Sequence, residues 1–426
     1  MKNKVIERLD ILFVVLLFIF IISSSIRMIY ANYNLKDYGL HLSIYGIIFL
    51  IIYVISKIKN FKFTKLELII IIMIILSCLS LINAIDIKTA LFGKVNRQEG
   101  LFVWLTYYLI ALNCMNIKNK KYLKIIVYLI SLYDLLNIGY GLFQVKLFKT
   151  NLFKVKSSWY YARGFLGNSM FFGTLMSIFY GLILGLFLKG KYNYKKIILY
   201  VLLLIASLGI ILSGAISALV AIGVIYLVIL IQIIILMIKK EKNILLNLVL
   251  LIVSFLSFGF VYKCYSLYDN HLNSDVLEFK SETKSVSEGK INDDFGTGRV
   301  YIWKNTIEKI KVAPITGYGI DNFRLAFNSK LFDSHGLIVD KAHNDYLQKA
   351  LCEGIISGVL FIIFLLIIFF KLVFKNLSSV YYGLFLAFTS YSIQAFFNIS
   401  VTRVAPIYFI IIGLLIGRIY ENDKIY

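Results

Sequence analysis

Proline is nearly absent, with two residues in a chain of 426. It is the residue that most firmly breaks a helix, so helices interrupted in mid-membrane, from which transporters build a central binding site, are not expected. Cysteine is as sparse. Cys78, Cys114, Cys264 and Cys352 stand far apart with no paired spacing, which indicates neither a disulfide framework nor a metal site. No Asp-x-Asp pair, the arrangement that holds a divalent ion against phosphate oxygens, occurs in the candidate loops; the nearest approach is the adjacent pair Asp293 and Asp294. Charged residues make up only 16% of the chain against 60% hydrophobic, and the mean hydropathy is +0.82. That balance excludes a water-soluble protein, and lipid is the expected solvent.

What the chain has in quantity is apolar runs near the roughly 20 residues that cross a hydrocarbon core. About twelve spans are expected, at roughly 9–29, 39–57, 66–85, 100–116, 122–145, 165–188, 196–213, 215–238, 243–262, 346–370, 379–398 and 402–419. The fold class is therefore an all-α polytopic membrane protein. Short basic connectors stay in the cytoplasm. MKNK at the N-terminus, KIKNFKFTK (57–65), IKNKKYLK (117–124), KGKYNYKK (189–196), KKEK (239–242) and KLVFK (371–375) all fall on one side of this arrangement. Both termini are thus placed in the cytoplasm of a multi-pass plasma-membrane protein. The formal charge of +22 is mostly this topology signal and not a surface for nucleic acid. The first span has a basic flank but is long and lacks a small-residue cleavage site, so it reads as an anchor.

Three organisational regions follow: 1–262 with nine spans and short loops, a large extracytoplasmic loop over 263–345, and 346–426 with three spans. Besides the large loop, the outer connectors rich in reactive side chains are 86–99 and 146–164. A connector of about eighty residues is usually functional or disordered. Its first part, 274–294, is polar and low in aromatics and reads as mobile or weakly folded. Its second part, GTGRVYIWKNTIEKIKVAPITGYG (296–319), places Val300, Trp303, Ile307 and Ile310 at helical spacing before Pro314. An amphipathic helix lying on the membrane surface is expected, with Thr297 as its cap and Arg299 in its first turn near Trp303. Arginine is distributed unevenly: Arg27, Arg97, Arg163, Arg299, Arg324 and Arg403 fall outside, and only Arg8 and Arg418 inside. Lysine divides about evenly. The guanidinium is a planar fork that grips two phosphate oxygens at once, so its placement suggests a phosphate-bearing ligand on the outer face.

AHNDYLQKALCEGIISG (342–358) resembles the signature of the O-antigen ligase and polymerase superfamily: a His-Asn pair, a leucine, then an acidic residue and glycine opening a membrane helix. Here these are His343, Asn344, Leu347, Glu353 and Gly354. GRVYIWKNTIEKIKVAPITGYGIDNF (298–323) is similar to the family's succession of arginine, tryptophan, and proline to glycine-x-glycine. NRQEGLFVWL (96–105) and RGFLGNSMFFGTLM (163–176) resemble two earlier family segments. The resemblance covers most of the chain in topology and about eighty residues by motif. It implies an inverting glycosyltransferase that takes a glycan from an undecaprenyl diphosphate carrier and joins it to a hydroxyl acceptor. The acceptor is a glycan, a lipid or a protein, which distinguishes polymerase from ligase, and no cofactor is implied.

Such a transfer needs positive charge for the leaving diphosphate and a base for the acceptor hydroxyl. Arg299 is the first candidate for the diphosphate, followed by Arg163 and Arg97, each of which could instead anchor to lipid headgroups. His343 titrates near neutrality and is the candidate base. Asn344 either orients a partner or caps a helix. Glu353 lies nearly on the same helical face ten residues on, and Trp303 supports the arginine. Gly354 and Gly358 read as a small-x-x-x-small packing step. Trp159, Tyr160 and Tyr161 serve either to stack on sugars or as an aromatic belt. Asp134, alone inside a span, reads as an interhelical hydrogen-bonding group. The competing class is a transporter or flippase of lipid-linked oligosaccharides, which would place charged groups near mid-membrane.

Overall fold

The computed structural model describes residues 8–21, 38–58, 62–95, 97–145, 161–191, 193–239, 244–267, 271–290, 292–327 and 339–421. Trp159 and Tyr160 lie outside the described residues. The regular elements are helices, and no β-strand occurs among the described residues. In order they are α1 (8–21), α2 (Tyr38–Ile58), α3 (Lys65–Leu79), α4 (Ile87–Phe92), α5 (Leu101–Cys114) and α6 (Lys120–Gln144). There follow α7 (Ser169–Lys189), α8 (Tyr194–Ser213), α9 (Ile216–Ile238), α10 (Ile244–Ser266) and α11 (His271–Ser287). The last are α12 (Phe295–Val312), α13 (Phe323–Ala326), α14 (Asp345–Glu353), α15 (Ile355–Val373), α16 (Ser379–Phe397) and α17 (Ala405–Ile419).

Seven of these, α2, α6, α7, α8, α9, α10 and α15, are long and apolar enough to cross a membrane, and α5 and α17 are apolar but shorter. The protein is a multi-pass membrane protein. Apolar periodicity placed the helices well but not their breaks. The run expected to span 346–370 is two helices, α14 and α15, separated at Gly354. Much of the polar stretch after α10, expected to be weakly folded, is the helix α11: it contains no proline or glycine and carries two each of Glu, Lys and Leu, all good helix formers. Polarity without an apolar face removes burial, not helix propensity.

The contacts divide the chain into two units that alternate in sequence. The first is Met1–Ile126, Ser285–Ile368 and Ala395–Tyr426; the second is Val127–Lys284 and Phe369–Gln394. In the first, α5 packs against α2, α3 and α17. Its sequence, LFVWLTYYLIALNC, is apolar on every side, as a fully enclosed helix requires, and all but two of its residues are buried. Tyr107 stacks on Phe409 with ring centroids 5.4 Å apart. Gly413 lets α17 approach α5, since a Cβ there would lie 2.4 Å from the Ala111 carbonyl oxygen. A second small core, built from Ile302, Ile310, Phe323, Ala342, Leu351 and Cys352, joins α12, α13 and α14.

That core corrects the expectation for α12. Its buried face is Ile302, Thr306 and Ile310, turned to protein, while Ile307 is exposed. Its true start is also later than a Thr297 cap would give. Gly296, Thr297 and Gly298 have φ of 60°, 59° and 80°, a left-handed turn that a β-branched residue rarely enters, and the right-handed helix begins at Arg299.

In the second unit α7 packs on α8 and α9. Gly185 permits contact with Gly383, a Cβ there falling 2.4 Å from the Gly383 Cα. A hydroxyl chain runs between Tyr180 and Tyr226 (2.6 Å) and from Tyr226 to Ser254 (3.1 Å). Asp134 on α6 is fully buried, and neither carboxyl oxygen has a hydrogen-bond partner among the described residues, so the interhelical bond expected of it is not seen there.

Candidate active site

Residues 93–100 form a loop closed by glycine. Gly93 has φ +82°, and a Cβ on it would fall 2.2 Å from the Glu99 amide nitrogen; one on Gly100 would fall 2.3 Å from the Gly93 nitrogen. The Lys94 carbonyl accepts from the amides of Arg97 (2.8 Å) and Gln98 (2.7 Å), and the Lys94 amide donates to Asp321 Oδ2 at 2.6 Å. The loop therefore folds back on itself and projects Arg97 and Glu99 toward the segment before α14. Arg97 donates through Nε to Asp340 Oδ2 (2.7 Å) and through Nη2 to Asp340 Oδ1 (3.0 Å), a two-pronged contact. Glu99, almost wholly buried, pairs with Lys341 and accepts from Ser400 Oγ (2.9 Å) and Tyr107 OH (3.0 Å).

His343 sits two residues beyond Lys341 with φ +50°, in the left-handed region. Asn344 caps α14 and accepts from the amides of Tyr346 and Leu347, both at 3.0 Å, so the capping alternative is realised. Trp303 reaches from α12 to donate through Nε1 to the Ala342 carbonyl at 3.1 Å, and packs edge-on against Phe396 at 5.4 Å. Arg299 donates through Nη1 to the Gly296 carbonyl at 2.9 Å, which sets the guanidinium against the left-handed turn.

The charges that bear on the His343 imidazole are predominantly positive. Burial, then the Arg299 guanidinium, pushes the His343 pKa down to about 4; Asp340 opposes this, and Arg97 and Lys341 add to it. The imidazole is neutral at pH 7 and makes no hydrogen bond among the described residues. Asp340 is held below the ordinary carboxylate range: burial opposes ionisation but is outweighed by the Arg97 hydrogen bond and charge, helped by Lys341 and His343. Burial first, then the nearby Glu99 charge, pushes Asp345 up to about 7, against the pull of Lys341 and Ser400.

Glu353 lies one helix turn from Lys349 and is fully enclosed. It accepts from Lys349 Nζ (2.6 Å), Ser77 Oγ (2.6 Å) and Ser357 Oγ (3.1 Å). The Lys349 ammonium lies 4.6 Å from the Trp104 ring centroid, also near Tyr108 and Phe361. With all its oxygens engaged, Glu353 fastens α14 to α3 and α15. Gly354 makes the break that follows: its φ of +91° and ψ of 158° are open only to glycine, and a Cβ there would meet the Ile315 carbonyl oxygen at 2.0 Å. The amides of Tyr318 and Gly319 reach the carbonyls of Leu351 and Cys352 (3.1 and 2.9 Å), closing the end of α14. Only Gly358, whose Cβ would fall 2.7 Å from the Ala350 Cβ, acts as a packing step.

Arg97, Arg299, Trp303, His343, Asn344 and Glu353 all lie in the first unit; Arg163 belongs to the second. The Arg163 backbone is braced by Gln144, which accepts from its amide at 2.9 Å and donates to the Gly164 carbonyl at 3.0 Å. Neighbouring Tyr161 hydrogen-bonds Asp275. Partial desolvation lowers the Arg163 pKa. Sequence reading passed over Glu99, Asp340, Lys341 and Ser400, and considered Asp345 only as an alternative metal ligand beside His343. A signal was present, since the order basic-x-acidic at 97–99 meets acidic-basic at 340–341.

The fold defines a multi-pass membrane protein, with a histidine-bearing cluster of charge pairs just before α14. Residues 201–362 match the family model for O-antigen ligase, which supports placing this chain in the O-antigen ligase and polymerase superfamily and in polysaccharide biosynthesis. No curated protein matches the chain.

Proposed function

We propose that this protein is an inverting glycosyltransferase that moves a glycan from an undecaprenyl diphosphate carrier to a hydroxyl acceptor on the extracytoplasmic face of the plasma membrane, as a ligase or a polymerase. The observation that carries the reading is a neutral imidazole, without a hydrogen bond among the described residues and within the electrostatic reach of Arg299, inside the stretch matched to O-antigen ligase. The acceptor oxygen attacks the anomeric carbon, the bond from that carbon to the phosphate oxygen breaks with its electron pair, and His343 takes the hydroxyl proton. One displacement inverts the anomeric centre. Arg299 holds the diphosphate. Arg97 adds to the positive field while its Nε edge holds Asp340. Asn344, Trp303 and Glu353 support the base by fixing α14 and the segment before it. The diphosphate needs no metal ion, because arginine supplies its counter-charge.

Both termini lie in the cytoplasm in this reading, as the basic connectors require. The experiment is transfer from a lipid diphosphate glycan by the purified protein in nanodiscs, with and without EDTA. Arg299→Ala abolishes transfer and Arg299→Lys stays strongly impaired, since lysine lacks the fork. His343→Ala loses roughly 10²–10⁴ in rate while carrier binding survives. Full activity of Arg299→Lys, or loss with EDTA restored by Mg²⁺, would overturn the reading.

A further inference from the structure

Two charge pairs join the 93–100 loop to the segment that carries His343: Arg97 with Asp340, and Glu99 with Lys341. The inner pair is sealed, with side-chain exposures of 1% for Glu99 and 3% for Lys341. It is also part of a closed network. Lys341 Nζ reaches the Ser400 carbonyl at 3.4 Å, Ser400 Oγ donates to Glu99 at 2.9 Å, and the Ser400 amide donates to Asp345 Oδ1 at 2.5 Å. Three stretches distant in sequence, the loop before α5, the segment before α14 and the turn between α16 and α17, thus meet through buried polar atoms.

A buried ion pair is a poor source of net stability, because the loss of hydration offsets most of the Coulomb attraction; an apolar pair of similar volume often does as well. What a satisfied buried network does provide is one fixed arrangement. The arrangement fixed here is unusual. Each residue from 340 to 345 other than His343 is held: Asp340 by Arg97, Lys341 by Glu99, Ala342 by Trp303 and by Gln348 Oε1 (2.8 Å), Asn344 by its capping bonds, and Asp345 by Ser400. His343 alone keeps its side chain out of the network, on a backbone with positive φ. A non-glycine residue persists in that region only where its surroundings over-determine it.

We propose that Glu99, Lys341 and Ser400 are positioning residues for His343: the buried pair and its serine fix the backbone on both sides of the histidine, so that the imidazole meets the acceptor hydroxyl in one orientation. This deepens the proposed transfer reaction and rests on His343 being its base. The charged groups that bear on the imidazole are Arg299 from α12, Arg97 from the loop, and Asp340 and Lys341 from its own segment, and Glu99 in turn holds Lys341.

The test uses the full-length protein in nanodiscs with a lipid diphosphate glycan. Glu99→Gln, nearly isosteric, is expected to lower kcat about 10²-fold, the scale of a misplacement near 1 Å, with the donor KM unchanged within about twofold. Glu99→Asp recovers part of the loss, and Ser400→Ala, which removes one hydrogen bond and keeps the ion pair, shows a smaller fall in kcat. A purely structural network would lower thermal stability and leave kcat of the folded fraction intact, which overturns the proposal. So does a loss confined to donor affinity. If Glu99→Gln does not fold, Ser400→Ala decides, and an unchanged kcat there overturns the proposal. His343→Ala is measured beside them. Wild-type rate in that variant removes the histidine as base and the positioning proposal with it; loss there with full activity in Glu99→Gln and Ser400→Ala removes the positioning proposal alone.

Discussion

Replacing His343 with glutamine tests the electrostatics of the site through acid stability as well as rate. In the folded protein the imidazole titrates at about 4, against 6.5 for an unperturbed histidine. Between those values the unfolded chain binds a proton that the folded chain refuses, so folded stability falls as pH drops from 6.5 toward 4 and is unaffected above that window. At about 1.4 kcal/mol for each pH unit the full effect is about 3 kcal/mol. Other groups titrate in this range too, but they are common to both proteins. The thermal midpoint of His343→Gln, measured in detergent across pH 4–7.5, is therefore expected to drop less steeply on acidification than that of the native protein, the two curves running parallel above pH 6.5. The same displacement sets the rate profile. The acid limb of kcat/KM reports the free enzyme and should lie well below pH 6. The limb of kcat should lie higher, because bound diphosphate neutralises the guanidinium that depresses the imidazole. Parallel stability curves through the acid range, or an acid limb of kcat/KM near 6.5, would refute this view of the site.

Gly354→Ala should destabilise the protein by about 3 kcal/mol or more, since it adds the strain of a glycine-only backbone to a 2.0 Å encounter with the Ile315 carbonyl; an unaltered thermal midpoint would show that the α14–α15 break relaxes freely. Asp134→Ala should raise the thermal midpoint, gaining about 1–3 kcal/mol by removing a buried carboxyl without partners among the described residues. A lowered midpoint would show that the carboxyl has a bonding role.

Local pattern made the helices legible, because apolar runs of the right length have few alternatives in lipid. Of the four segments it marked, 96–105, 298–323 and 342–358 fall in one unit, while 163–176 falls in the other. Three features escaped it. The Gly354 break joins the amphipathic DYLQKALCE to the apolar run that follows, with helical pattern on both sides, and only the approach of Pro314 and Ile315 from elsewhere in the chain explains it. The buried face of α12 was misassigned because its Val300, Trp303, Ile307 and Ile310 stripe competes with the Ile302, Thr306 and Ile310 stripe, and only packing on α14 selects between them. The Arg97–Asp340 and Glu99–Lys341 pairs bridge more than two hundred residues, where charge alternation on each side carries meaning only once the two sides are known to face each other.

Of the three tryptophans in the chain, two sit in this neighbourhood. The Trp303 indole N–H is bonded to the carbonyl just before His343, and the face of Trp104 lies under the Lys349 ammonium. Indole emission shifts in colour and intensity with hydrogen bonding and with a nearby cation. The segment beside the histidine is therefore wired to an intrinsic fluorophore: a substitution that shifts the 340–345 stretch registers in the Trp303 spectrum without a label, and Trp104 reports separately whether α14 has kept its internal ion pair.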